Sequence, residues 1–269
     1  MQNAHDISPD MIQVGVATNI GTKYRVNQDA YKADEERGIF LVADGIGGGP
    51  AGEIASRVAI NAAHAHLLKK FPEGVEDERQ EILREAVHAA HRAVKDAIAQ
   101  VPAYRGMGTT LVMAWLPHGR RDLWIAHIGD SRAYLFSQGS LKQLTNDHTI
   151  LNVVRQANML PEDPERWPPR SLLSQSLGSS DMIAPEVNRF DLVLGDRVFL
   201  CTDGVCDALE DAYIGETLSL DWHPQRMCET MIESALREGA DDNLTTLVLR
   251  IGMPDQSGVA TQVHTSRKE

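Results

Sequence analysis

Four acidic residues of this chain stand at or beside the ends of apolar, strand-like runs. Phe40-Leu41-Val42-Ala43 leads into Asp44-Gly45, and Trp124-Ile125-Ala126-His127-Ile128 leads through Gly129 into Asp130. Phe199-Leu200-Cys201-Thr202 leads into Asp203-Gly204, and Asp242-Asn243 precedes Leu247-Val248-Leu249. Asn27-Gln28-Asp29 adds another carboxylate near the start. An apolar run buries its strand, whereas an Asp at its mouth faces water or a ligand. Carboxylates converging on one cleft repel and raise one another's pKa unless cations neutralise them. Oxygen ligands alone suit hard divalent ions, Mg²⁺ or Mn²⁺. The pattern reads as a binuclear metal hydrolase.

The elements that must position these groups follow from periodicity. Strands are expected at 12–18, 39–43, 109–116, 122–128, 132–136, 141–144, 197–201 and 244–251, with Ser137-Gln138-Gly139-Ser140 as a hairpin turn. Helices are expected at about 53–70, 77–100 and 224–239, from apolar positions at helical spacing. Between Gly45 and Gly52 lie five glycines, both ends counted, and Pro50, which force an irregular loop. Residues 147–180 read as a short helix followed by an irregular surface flap, and long irregular segments are usually functional or mobile. Strands in blocks and helices in blocks argue α+β with antiparallel neighbours. One domain over 11–252 is expected, after a flexible leader at 1–10 and before a disordered tail at 253–269.

With 269 residues, 42% hydrophobic and 24% charged, the composition is that of a soluble globular protein. A net charge of −12 argues against nucleic-acid binding, which needs a basic footprint. No apolar run approaches the roughly 20 residues that span a bilayer, and residues 1–6 lack a signal-peptide pattern. No membrane insertion and a cytoplasmic location are expected, as is a monomer. Cys201, Cys206 and Cys228 are odd in number and read as buried reduced thiols.

Alone, each Asp motif also reads as a capped turn, since Asp, Asn and Gly are ordinary turn residues. Their joint occurrence resembles the metal-dependent protein Ser/Thr phosphatases, the PPM or type 2C family, in its bacterial form. The matching stretches are Thr18-Asn19-Ile20-Gly21 with Asn27-Gln28-Asp29, Asp44-Gly45-Ile46-Gly47-Gly48, Gly106-Met107-Gly108-Thr109-Thr110 and His127-Ile128-Gly129-Asp130-Ser131-Arg132. Leu144-Thr145-Asn146-Asp147-His148, Ser174-Gln175-Ser176-Leu177-Gly178, Asp203-Gly204 and Asp242-Asn243 complete them.

The resemblance implies a four-layer α-β-β-α sandwich of two antiparallel sheets flanked by helices. It implies that Asp44 bridges two Mn²⁺ or Mg²⁺ ions, that Asp203 and Asp242 complete the first site, and that the Gly45 carbonyl and Asp29 serve the second. Asp130 with Asp203 would hold a weaker third ion. The implied substrates are phosphoproteins, with a cognate Ser/Thr kinase as a partner. Two departures stand out. The family's phosphate-gripping Arg position is Tyr24 here, and Arg25 is expected to reach in, with Lys23 or the metals as alternatives. Ile46 occupies the place where eukaryotic members carry His. An inactive phosphoprotein-binding module and a hydrolase of small phosphates are the competing readings; a P-loop enzyme is disfavoured because the chain has no Gly-x-x-x-x-Gly-Lys-Ser/Thr loop. His127 is expected to be hydrogen-bonded structure, and Trp167 a flap residue that contacts substrate.

Overall fold

Side-chain alternation along one strand, β3 (Ile39–Asp44), separates the layers. Ile39, Leu41 and Ala43 belong to one buried cluster, and Phe40 and Val42 to another. That is the period of two expected of a strand covered on both faces. A computed structural model describes residues 7–8, 11–46, 51–70, 78–163, 167–179 and 182–252. The expected tail, the leader apart from Ile7 and Ser8, the 47–50 part of the glycine loop, residue 77 of the expected second helix, and residues 164–166 and 180 of the expected flap lie outside the described residues.

Two five-stranded antiparallel sheets face each other. The first runs β1 (Ile12–Asn19), β10 (Leu244–Ile251), β9 (Arg197–Cys201), β6 (Arg132–Ser137), β7 (Ser140–Gln143). The second runs β2 (Asp29–Asp34), β3, β4 (Leu111–Trp115), β5 (Asp122–Ile128), β8 (Glu186–Asp191). Between them Phe40, Val42, Val112, Ile125, Val198, Leu200, Leu247 and Leu249 form the central core. Helices α1 (Gly52–Lys70) and α2 (Arg79–Gln100) cover the outer face of the second sheet through Ala59, Ala63, Leu83, Val87 and Val94. Helices α4 (Asp203–Cys206), α5 (Asp211–Ser219) and α6 (Pro224–Arg237) cover the first through Val205, Ile214, Met227 and Met231 against Phe199 and Val248. Each fully buried side chain of this size contributes about 1.5–3 kcal/mol. The α+β sandwich implied by the resemblance is the observed architecture.

Local chemistry fixes the details. Gln138 (φ 51°) and Gly139 (φ 80°) both take left-handed backbone, the conformation of a two-residue primed hairpin turn between β6 and β7. Strand β1 is a sheet edge, and the Gln225 amide caps it, accepting from Val16 N–H (3.0 Å) and donating to Val16 O (2.9 Å). The flap opens with α3 (Ile150–Gln156), whose Thr149 side chain accepts the Asn152 N–H. The expected strand at 109–116 is shorter, because Thr109 instead bridges Gly45 and Leu177. Strands β2 and β8 and helices α4 and α5 were not anticipated from periodicity. No helix of the described residues is long and apolar enough to cross a membrane.

Candidate active site

Register places the first two carboxylates. Asp29, the first residue of β2, pairs directly with Asp44, the last of β3. Like charges in this relation destabilise a sheet, so the pair needs compensation. Asp29 Oδ2 finds part of it by accepting from Thr202 Oγ1 (2.9 Å) and Thr245 Oγ1 (2.7 Å), which reach across from the opposite sheet. Asp44 is held by its backbone: its N–H donates to Thr110 Oγ1 (2.9 Å), and its carbonyl accepts from Thr110 N–H (2.9 Å) and Thr109 Oγ1 (2.7 Å).

Asp203 opens α4 immediately after β9, and Asp130 follows the Gly129 turn after β5. Asp242 precedes β10; its Oδ1 accepts the Asn243 N–H (2.8 Å) and its Oδ2 meets Lys23 Nζ (3.4 Å). Asn243 stitches the surrounding loops, accepting from Gln28 N–H (2.7 Å) and donating to Ile20 O (2.7 Å). Asp44, Asp130, Asp203 and Asp242 line one cavity of about 230 Å³. Asp29 stands behind Asp44, within electrostatic reach of Asp203 and Asp242. All five sequence-predicted carboxylates therefore come together.

The electrostatics are those of a cluster that wants cations. Burial, opposed by the two threonine hydrogen bonds and reinforced by Asp203 and Asp242, pushes the Asp29 carboxyl up to about 7. Burial and then the charges of Asp203 and Asp147 push Asp130 up to about 8. Asp44 is raised well above the ordinary range by burial, then by Asp203 and Asp29, and it shares a hydrogen bond with Asp203, itself raised by burial. Asp29 Oδ1 and Asp203 Oδ1 are buried without a hydrogen-bond partner. Buried oxygens of this kind in a native structure call for an ion or water. The donor set, carboxylate oxygens throughout, fits Mg²⁺ or Mn²⁺.

A family model for protein phosphatase 2C matches residues 22–248. The chain belongs to the protein phosphatase 2C family. It is 37% identical over 223 residues to the serine/threonine protein phosphatase PstP of Mycobacterium tuberculosis, covering 82% of this chain and 41% of that protein. The chain thus spans about two fifths of that relative's length. It is 31% identical over 255 residues to the protein phosphatase PhpP of Streptococcus pneumoniae, covering 91% of this chain and 99% of that protein. Among solved structures, the M. tuberculosis PstP/Ppp phosphatase superposes with a TM-score of 0.79 at 32% identity, covering 90% of this chain and 99% of that one. The PstP catalytic domain in complex with two manganese ions gives 0.77 at 30% identity, with the same coverage.

In this protein phosphatase 2C cleft, the glycines after Asp44 and Asp203 have a steric reason. A Cβ on Gly45 would lie 2.2 Å from Gly52 O and 2.7 Å from Gln28 O, and one on Gly204 would lie 2.2 Å from Asn243 O. The Asp-Gly pairs allow loops to close over one another behind the carboxylates. Gly45→Ala should therefore lower the melting temperature, overpacking of this kind costing about 1–3 kcal/mol. A thermal melt identical to wild type would contradict this packing.

His127 and Glu186 face each other across β5 and β8, and with His148 they bring three possible ligand atoms within 4.8 Å. Hydrogen bonds to three of the four ring nitrogens make them a brace, with His127 Nδ1 buried and without a partner. His127 Nε2 donates to Asn146 O (2.9 Å), which makes the histidine structural, as expected. Gly129 N–H donates to His148 Nδ1 (3.3 Å), so the His148 proton sits on Nε2 and points to Glu186 Oε1 (3.3 Å). A cation there would have to displace that proton. Burial, together with the neighbouring His148, pushes His127 down to about 4. The brace fixes the Gly129 turn that presents Asp130.

Arg25, expected at the phosphate, is exposed and lines neither this cavity nor the one beside it, whereas Lys23 and Tyr24 line the carboxylate cavity. The reason is the turn: Thr22 and Lys23 N–H both donate to Asp241 O (3.0 and 2.8 Å), which swings Lys23 toward Asp242. Trp167 donates to Pro161 O (3.0 Å) within the flap and lines neither cavity. Asp207 was not anticipated. It stands one helical turn after Asp203 on the wall of the neighbouring cavity, and the i,i+4 spacing was the available signal.

Proposed function

We propose that this protein hydrolyses phosphoserine and phosphothreonine esters in proteins, using two divalent cations, Mn²⁺ or Mg²⁺, with a weaker third. The single observation that carries the reading is the convergence of five carboxylates, two of which hold buried oxygens without a partner. Family membership and the two manganese ions of the mycobacterial relative's structure support it. Such a cluster favours an active enzyme over a binding module that has lost its chemistry.

In this reading Asp44 would serve both cations, Asp203 and Asp242 would complete the first site, the Gly45 carbonyl and Asp29 would serve the second, and Asp130 with Asp203 would hold the third. Asp29 offers Oδ1 alone, since both threonines occupy Oδ2. When bound, the cations supply an acidified water as nucleophile and offset charge on the phosphoryl oxygens. The chain's own contribution is position. Thr109 and Thr110 fix the backbone of Asp44, Asn243 fixes the Asp242 loop to β2's entry, and the histidine brace fixes Asp130. Ile46 places an apolar side chain on the cavity wall, so leaving-group protonation falls to water. A Ser/Thr kinase as counterpart, a monomeric state, a cytoplasmic location and one domain over 11–252 belong to the same proposal.

The phosphate-gripping role expected of Arg25 falls to Lys23, whose ammonium stands 5.0 Å over the Tyr24 ring and beside Asp242. Lys23→Ala should raise KM for a phosphopeptide about tenfold, the worth of one charge-assisted hydrogen bond, while Arg25→Ala leaves it unchanged. The reverse pattern in steady-state kinetics would return the role to Arg25. The substrate class is tested by comparing kcat/KM on a phosphothreonine peptide and on nucleoside monophosphates in Mn²⁺. Preference for the nucleotide would overturn the protein-phosphatase reading.

A further inference from the structure

A second cavity of about 230 Å³ adjoins the carboxylate cleft and shares Asp130 and Asp203 with it. Three arginines, Arg132, Arg155 and Arg170, contribute to its walls. Arg132 is spent: its guanidinium makes three contacts of 2.7–3.0 Å with the two carboxylate oxygens of Asp147. The other two differ. Arg155 donates Nη1 to the neutral Asn152 Oδ1 (2.7 Å), and neither Arg155 nor Arg170 forms an ion pair among the described residues. The charge of Arg170 reaches Asp207 without an ion pair between them. Both arginines line the cavity that opens on the reacting centre.

Arg155 is also prepositioned. Thr149 caps α3, Asn152 Nδ2 donates to Asp147 O (2.9 Å), and Asn152 Oδ1 then holds the guanidinium. A group ordered before binding loses less entropy on binding. Guanidinium forks suit planar or tetrahedral oxyanions. With Asp130 and Asp203 neutralised in the working enzyme and Arg132 matched by Asp147, the cavity's remaining charges are Asp207 against Arg155 and Arg170.

We propose that this cavity binds a second anionic group of the substrate, a phosphate or a carboxylate close in sequence to the scissile phosphoresidue, through Arg155 and Arg170. The inference rests on the phosphatase reading above and makes it specific. The enzyme would favour doubly phosphorylated or acidic phosphorylated segments over neutral ones.

The test uses phosphothreonine peptides in which alanine, glutamate or a second phosphothreonine is placed in turn at the flanking positions. At the best position, kcat/KM should exceed that of the alanine peptide about tenfold or more, as one added charge-assisted contact provides. The glutamate and phosphate arms separate the two anion sources. Arg155→Ala and Arg170→Ala should each erode that preference while leaving the alanine peptide's turnover unchanged. A wild-type preference of unity at every position would overturn the proposal, as would a preference that survives both substitutions. Binding of the same labelled peptides to the wild-type protein in Mn²⁺, with a non-hydrolysable phosphonate in place of the scissile phosphate, by fluorescence anisotropy, gives a readout independent of turnover. Tighter binding of the dianionic peptide that is lost in the Arg155→Ala variant supports the subsite even if the phosphatase reading fails. Equal binding of all peptides overturns it even if phosphatase activity is high.

Discussion

Asp44→Asn should lose at least about a hundredfold in turnover on a phosphopeptide while melting at a higher temperature than wild type in EDTA. The two effects share one cause. Asn keeps the size of the side chain and leaves the backbone bonds to Thr109 and Thr110 untouched, so the fold has no reason to change. What disappears is one charge at the centre of the cluster, opposite Asp29 and hydrogen-bonded to Asp203. Residues that only support a metal ligand are worth about 10–100-fold in affinity or activity, so a bridging ligand should exceed that range. Without metal, and at a pH high enough to strip the raised Asp44 carboxyl of its proton, the same charge is a liability, and relieving it should raise the melting temperature by about 2–4 °C for each kcal/mol of repulsion removed. Activity within tenfold of wild type would sink the metal role of Asp44. A large fall in melting temperature would mean that its role is structural.

The second expected result concerns pH. From about pH 6.5 to about pH 8.5, the metal-free protein should lose thermal stability, and Mn²⁺ should stabilise it increasingly. Asp29 at about 7 and Asp130 at about 8 both lie above the ordinary value of 3.8. A carboxyl raised in the folded state contributes stability that is fully present below its unfolded pKa and is lost as the pH climbs through the folded value. Asp44 and Asp203, raised for the same reason, add to the effect in the same direction. The histidines do not confuse this window. His66 and His127 are lowered by burial, so their contribution grows with pH only up to the ordinary histidine value of 6.5. Cation binding must expel the carboxyl protons, so affinity should rise about tenfold per pH unit for each proton released. Melting curves in EDTA and in Mn²⁺ across this range check both halves. A flat EDTA profile, or two profiles falling in parallel, would remove the proton–metal competition.

Much of this was legible because buried strands advertise themselves. β3, β5, β9 and β10 are covered on both faces and read as apolar runs, so their ends, and the carboxylates at those ends, could be located. β2 and β8 could not, because they are the two edges of the second sheet and carry mixed patterns, Asp-Ala-Tyr-Lys-Ala-Asp and Glu-Val-Asn-Arg-Phe-Asp. An edge strand is half solvated and needs no apolar run. α4 and α5 are short and stabilised by packing on Phe199 and Val248, not by their own periodicity. That Lys23 and not Arg25 lines the carboxylate cavity follows two amides meeting Asp241 O, a contact between loops more than two hundred residues apart. Periodicity carries no signal of that kind. The Thr202 and Thr245 hydroxyls on Asp29 were hidden for the same reason.

The most direct test is release of inorganic phosphate from a phosphothreonine peptide by chelated protein, before and after Mn²⁺ is restored. The expected result is no turnover after chelation and recovery on adding Mn²⁺, with Asp44→Asn failing to recover. Turnover that persists in EDTA, or recovery that is equal in Asp44→Asn, would contradict a carboxylate cluster that works through divalent cations.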